Sequence, residues 1–205
     1  MTESNLVDVR IMPFTSRMTA ECVRILAQAY VTNPLHVSAL GASETAKNET
    51  LFRILFNGMK GPRFVATDGE QIVGFIHWVA SPGCQTSSFE KLRRTLSFLN
   101  GLGLSTTPKV NYWMSEWDRH DLHEPHVHLG PLAVSPDAQR RRIGYQLMTR
   151  FCQEIDKTGE TGHLVTDRPR SLDLYKRFDF EVTAEIPIHG VMNYFMRRRP
   201  RTVRR

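Results

Sequence analysis

His126 and His128 flank one valine in the segment HEPHVHLGPLAV, and an extended chain of period two sets both imidazoles on one face. Histidine titrates close to neutral pH, so the pair is a candidate general base. Glu116, Asp118 and Glu124 are nearby carboxylates that could serve instead. A metal is the other use for this stretch, since His120, His123, His126 and His128 could all supply imidazoles. Their spacing matches no zinc motif and Pro125 interrupts any helix, so no metal is expected. Farther on, VSPDAQRRRIGYQLM places Arg140, Arg141 and Arg142 just before Gly144. Such a run fits a basic patch for nucleic acid, a solvated helix face, or a turn that holds a phosphate.

The elements that must position these residues follow from hydrophobic period and breakers. VDVRIMPF alternates as a strand, and Ser16 or Thr19 can cap a helix carrying Cys22, Ile25, Leu26 and Ala29, which stops before Asn33-Pro34. A second helix starts at Ser43, runs through Leu51, Ile54, Leu55 and Met59, and stops at Gly61-Pro62. RFVAT and QIVGFIHWVA flank Asp68-Gly69 as a hairpin. FEKLRRTLSFLNGLGL reads as an amphipathic helix with Phe89, Leu92, Leu96 and Leu99 as its apolar face. HVHLGPLAV is a buried strand ended by Ser135-Pro136, and from about Gln139 a helix aligns Ile143, Leu147, Met148, Phe151, Cys152 and Ile155. GHLVT is a strand, SLDLYKRF a short helix, and FEVTAEI and VMNYFMR two closing strands joined by residues 187–190. A strand that turns directly into a helix makes an anion site, because the first helical N–H groups lack internal partners and the macrodipole is positive there.

Composition narrows the classes. With 205 residues and 40% hydrophobic content the chain can bury one good core. No apolar run approaches a membrane span, the opening MTESNLVDVRIMPF lacks a signal-peptide core, and Cys22, Cys84 and Cys152 are patternless. These point to a reducing cytoplasm with no membrane partner. The net charge of +6 is a feature of the C-terminus: six arginines fall in residues 197–205, leaving 21 basic against 21 acidic residues elsewhere. Such an end is expected to be solvated, and nucleic acid is not an expected partner.

The pattern V-x-P-x-x-Q-x-x-R-x-G-x-x-L from Val134 resembles the CoA pyrophosphate signature of the GNAT N-acetyltransferase superfamily. Gln139 takes its leading position, Gly144 its final one, and Arg142 stands where the first glycine is usual. TDRPRSLDLYKRFDFEV resembles the later segment ending in L-Y-x-x-x-G-F, with Asp179, a residue tolerant of left-handed geometry, in place of glycine. Glu124-Pro125 to Leu129, Pro169 to Arg177 and Val182-Thr183-Ala184 are similar to the puromycin-acetyltransferase-like subgroup. The resemblance implies an α/β fold: a mixed, mostly antiparallel sheet flanked by helices, with a splayed strand pair binding CoA. One domain would span residues 1–199, followed by a basic tail at 200–205; a homodimer is compatible.

The implied activity is direct transfer of an acetyl group from acetyl-CoA to a small-molecule amine. Backbone of Leu132, Ala133 and Val134 would meet the pantetheine arm, and Gln139, Arg140, Arg141, Arg142, Ile143, Gly144 and Tyr145 would form the pyrophosphate turn. Arg168 and Ser171 occupy loop positions where family members contact CoA. Tyr175 falls at the position of the acid that protonates the leaving thiolate, and His128, nearer the thioester, is preferred as base with Glu116 in reserve. Tyr112, Trp113, Trp117 and Trp78, with Glu116 and Asp118, could line the acceptor site. The alternative is a non-catalytic fold that binds acyl-CoA, or acts on nucleic acid or a partner through its arginines.

Overall fold

The computed structural model describes residues 9–201. Strand β1 (Val9–Pro13) leads to helix α1 (Thr19–Tyr30), which buries Cys22, Ile25, Leu26 and Ala29 as their spacing predicts. The chain does not simply stop at Asn33-Pro34. Pro34 opens a further helix, α2 (Pro34–Leu40), where its missing N–H is harmless and its fixed φ suits the first turn. Helix α3 (Thr45–Phe56) precedes the hairpin of β2 (Arg63–Asp68) and β3 (Gln71–Ala80), whose turn holds Gly69 at φ +58°. Helix α4 (Ser88–Leu102) begins with a capping box between Ser87 and Glu90, and the aromatic segment after it forms α5 (Thr107–Arg119). There follow β4 (His126–Val134), α6 (Ile143–Thr158), β5 (Thr161–Thr166), α7 (Pro169–Lys176), β6 (Glu181–Ile188) and β7 (Val191–Arg198).

The seven strands form one sheet in the order β1-β2-β3-β4-β5-β7-β6. Every neighbouring pair is antiparallel except β4 and β5, which run parallel because α6 crosses between them. Alternation along the strands divides the core. Ala66 and Ile76 face α6 and its Ile143, Leu147 and Phe151, whereas Val65 and Phe75 face α1 and α3. Gly74 lets α6 lie close, since a Cβ there would come within 3.1 Å of Leu147 Cδ1. A third cluster ties α2, α4 and α5 together through Leu35, Phe98 and Trp113.

Two expectations are corrected. The apolar stripe on α4 turns outward, with Phe89, Leu92 and Leu96 exposed at 74%, 58% and 58%, while Phe98 and Leu102 are buried. Periodicity identifies a stripe but not the side on which the neighbouring helix lies, and here α3 and α5 meet the other side. The arginine-rich end is also less solvated than expected. Arg198 is buried and forms a bidentate pair with Asp156 at 2.7 and 2.9 Å, and Arg197 pairs with Glu124 at 3.2 Å. Arg201 pairs with Asp179.

Candidate active site

β4 and β5 stay together only from His126 opposite Thr161 to Leu129 opposite Leu164. Past Leu129, β4 remains with β3 (Leu132 opposite Ile76, Val134 opposite Gly74), and β5 remains with β7 (Thr166 opposite Tyr194). Gly130, at φ +150°, and Pro131, which has no N–H to donate across the gap, mark the parting. The wedge opens into a cleft of about 640 Å3, walled by Leu132, Ala133 and Val134 on one strand and by Val165 to Arg168 at and just past the end of the other. Tyr30 donates its hydroxyl to the Leu132 carbonyl at 3.1 Å, and His77 Nδ1 lies 2.6 Å from the Gly130 carbonyl, so the parted end of β4 is braced.

The turn into α6 follows directly. Gln139 donates its side-chain amide to the Val134 carbonyl at 3.2 Å and closes the turn. Arg140 and Arg142 both lie in the left-handed region, at φ +66° and +60°. Arg142, the residue in the usual glycine position, is therefore not helical; an L-residue there carries a cost of roughly 1–2 kcal/mol. Arg141 is turned away into an ion pair with Asp68 at 2.7 Å. What remains directed at a ligand is backbone: the amides of Ile143, Gly144 and Tyr145 begin α6 and lack acceptors one turn back. The first turn carries no acidic residue to offset the positive helix end. A Cβ on Gly144 would stand 3.8 Å from Val134 and 3.9 Å from Leu174, both in the cleft wall, so the turn abuts the cleft.

On the opposite wall, Asp167 accepts from the Leu35 N–H at 2.7 Å and the Asn33 amide at 3.3 Å, capping α2 from just past the end of β5. Burial raises its pKa against those hydrogen bonds. Arg168 reaches Thr32 Oγ1 at 3.1 Å, and Ser171 lies one turn into α7. Tyr175 lines the same wall; burial and the nearby Asp167 push its phenol up to about 12, so it keeps its proton throughout the neutral range.

Across the cleft, side chains distant in sequence converge on one carboxylate. Asp121 Oδ1 lies 3.1 Å from His126 Nε2, 3.5 Å from His128 Nδ1 and 3.0 Å from His163 Nδ1. Burial would raise the Asp121 pKa, but the three imidazoles hold it well below the carboxylate range. Burial would likewise lower His126, yet Asp121, Cys84 and the Glu124 carbonyl carry it up to about 10. For His163 burial wins, and its pKa falls. His128 and Asp121 line the cleft, joined by Trp113, Trp117 and Asp118 of α5.

The model of the acetyltransferase (GNAT) family matches residues 33–180, which include the wedge, the turn and the α7 loop. The chain belongs to the GNAT acetyltransferase family. Its fold recurs in a Corynebacterium glutamicum structure described as histone acetyltransferase HPA2 and related acetyltransferase, at a TM-score of 0.73 and 20% identity, covering 96% of this chain and 99% of that one. The Drosophila melanogaster polyamine N-acetyltransferase follows at a TM-score of 0.62 and 16% identity, covering 94% and 100%. A Brucella melitensis GNAT acetyltransferase in complex with acetyl-CoA has a TM-score of 0.52 at 15% identity, covering 94% and 88%.

Within this GNAT acetyltransferase, Leu132, Ala133, Val134, Gln139, Arg168, Ser171, Tyr175 and His128 all line the cleft, and the turn from Arg140 to Tyr145 adjoins it. Glu116 does not join them. It is buried against Arg119 at 2.6 Å and is not among the residues of the cleft wall. Of the aromatics, Trp113 and Trp117 reach the cleft; Tyr112 packs against His189, and Trp78 stacks on Phe64 in the α6 core. Tyr30, His77, Asp121 and His163 belong to the site and had no signature in the sequence. Asp167 also belongs to the site and had one usable signal, its place just before the helix-opening Arg168-Pro169.

Proposed function

We propose that the chain transfers an acetyl group from acetyl-CoA to the amine of a small molecule by direct attack through a tetrahedral intermediate. The observation that carries this reading is one cleft that contains the parted β4, His128 and Tyr175 and is adjoined by the turn into α6. Acetyl-CoA fits it chemically: an anionic pyrophosphate would meet the amides at the start of α6, and the thin pantetheine arm would lie against the unpaired edge of β4. Two β4 carbonyls already have partners, Leu132 with Tyr30 and Val134 with Gln139. The backbone N–H groups of that edge are the donors left to polarise a thioester carbonyl.

The amine nitrogen forms a bond to the acyl carbon, its proton passes to His128, and the carbon–sulfur bond breaks with Tyr175 offering its O–H to the departing sulfur. Asp121 stands behind His128, with Oδ1 3.5 Å from Nδ1. Glu116 has no part in this scheme. For the acceptor, the cleft wall carries Lys60, Arg93, Arg94 and Arg168 against Glu90, Asp118, Asp121 and Asp167. That balance supports an amine with one positive charge on an apolar or aromatic body resting on Trp113 and Trp117. The matches at Glu124 to Leu129, Pro169 to Arg177 and Val182 to Ala184 support a place near the puromycin-acetyltransferase-like subgroup. The free thiols of Cys22, Cys84 and Cys152 support a reducing, cytoplasmic setting.

An amine panel with acetyl-CoA, read by released thiol, tests the reading. At least one amine should give turnover that falls about 100-fold in Tyr175→Phe and in His128→Gln while acetyl-CoA affinity is kept. If calorimetry finds no acetyl-CoA binding, the reading fails.

A further inference from the structure

We propose that Asp121, His126, His128 and His163 form a binding site for a divalent transition ion of the zinc type, and that the bound ion and acetyl transfer exclude one another. The second half rests on His128 being the base; the first does not.

The four donor atoms, one from each residue, lie within 4.8 Å of one another. Zinc held tetrahedrally at the usual distances separates its ligand atoms by about 3.3 Å. The three distances from Asp121 Oδ1, at 3.1, 3.5 and 3.0 Å, are already near that value. A hydrogen-bonded cluster explains the arrangement poorly. All three imidazoles crowd a single oxygen, which has two lone pairs to offer. His163 Nδ1 and His128 Nδ1 stand 3.0 and 3.5 Å from Asp121 Oδ1 yet neither makes a well-angled hydrogen bond there, and the buried His163 Nε2 has no hydrogen-bond partner among the described residues. Buried polar groups left in that state are destabilising, and a shared cation would satisfy Nδ1 of both rings.

The surroundings suit a metal. His126 Nδ1 lies 2.9 Å from the Glu124 carbonyl, which fixes the proton there and leaves Nε2 free to coordinate. The Cys84 thiol is 3.5 Å from His126 Nε2, within reach of the same ion. Three imidazoles and one carboxylate are borderline donors that favour zinc-like ions over calcium or magnesium. The site opens to the cleft through Asp121, Cys84 and His128. An ion there takes the lone pair that His128 needs to receive the acceptor's proton.

The experiment starts from chelator-stripped protein, with Zn2+ measured by competition with a chromophoric chelator and Co2+ added as a spectroscopic probe. One equivalent of zinc per chain is expected, with the intense visible bands of four-coordinate cobalt. His163→Ala and Asp121→Asn should each weaken zinc by more than about 100-fold, whereas His120→Ala should not. Thermal melting of the metal-free variants confirms folding, and His163→Gln replaces His163→Ala if that protein is unfolded. Turnover should fall at least tenfold with one equivalent of zinc and return on chelation. Folded wild-type protein that retains no zinc, folded cluster variants that bind it as well as wild type, or full turnover with zinc bound would each overturn the proposal. Acetyl-CoA calorimetry on the same stripped protein separates the two readings: loss of acetyl-CoA binding alone sinks the transferase reading and leaves the metal site standing.

Discussion

The two sides of the cleft are built differently. The cofactor side is local: β4, its turn and the start of α6 occupy the continuous segment from Leu132 to Tyr145, with the α7 loop added. The acceptor side is assembled from separated places, with Cys84 before α4, Asp121 after α5, His126 and His128 on β4, and His163 on β5. A local site can tolerate substitution so long as its backbone path survives. Arg142 shows this by holding a left-handed conformation where glycine is usual. An assembled site depends on packing far from the chemistry.

Substitutions on each side test that contrast. The largest effect should come from Phe98→Ala, which hollows the cluster joining α2, α4 and α5 and should cost about 3–5 kcal/mol in denaturant unfolding. It should also disturb acceptor KM more than acetyl-CoA affinity; equal loss of both would erase the distinction between the sides. His36 comes next, at the seam where α2 meets the cleft. Its ring is buried, Nδ1 lies 2.6 Å from Asn48 Oδ1, and burial lowers its pKa to about 4. Between about 6.5 and 4 the unfolded chain binds this proton and the folded chain does not. Stability from this group is therefore complete above about pH 6.5 and declines as pH falls toward 4, by up to about 3 kcal/mol. A His36→Phe variant that melts with an unchanged acid slope between those values would contradict the assignment.

Smaller effects belong to the cofactor side and the surface. Arg142→Gly removes a strained Cβ worth roughly 1–2 kcal/mol but adds about 0.5–1 kcal/mol of chain entropy. A net gain of about 0–1.5 kcal/mol is expected, with acetyl-CoA affinity kept because the ligand is backbone. A large affinity loss would show that the guanidinium itself holds the phosphates. Leu92→Gln, on the outward face of α4, should change stability by less than about 0.5 kcal/mol. A cost near that of Phe98→Ala would mean that this face is covered in solution.

The sequence by itself carried the cofactor side. A buried strand, a proline stop, the Gln139-to-Gly144 spacing and the apolar face of α6 are short-range facts, and adjacent residues have no choice but to lie together. It also carried the shared face of His126 and His128, which period two alone dictates. Hydrophobic spacing found α4 but chose the wrong side, because both stripes of that helix are apolar and only α3 and α5 decide which one is covered. The end of α1 before Asn33-Pro34 was legible, but the helix that Pro34 opens was not, since the residue that caps α2, Asp167, stands 132 positions from Leu35. His163 joined the histidines of β4 because parallel pairing sets it opposite His128, a register fixed by the length and packing of α6. Chemistry made by neighbours in the chain was written in the sequence; chemistry made across strands and helices appeared only when the sheet set the register.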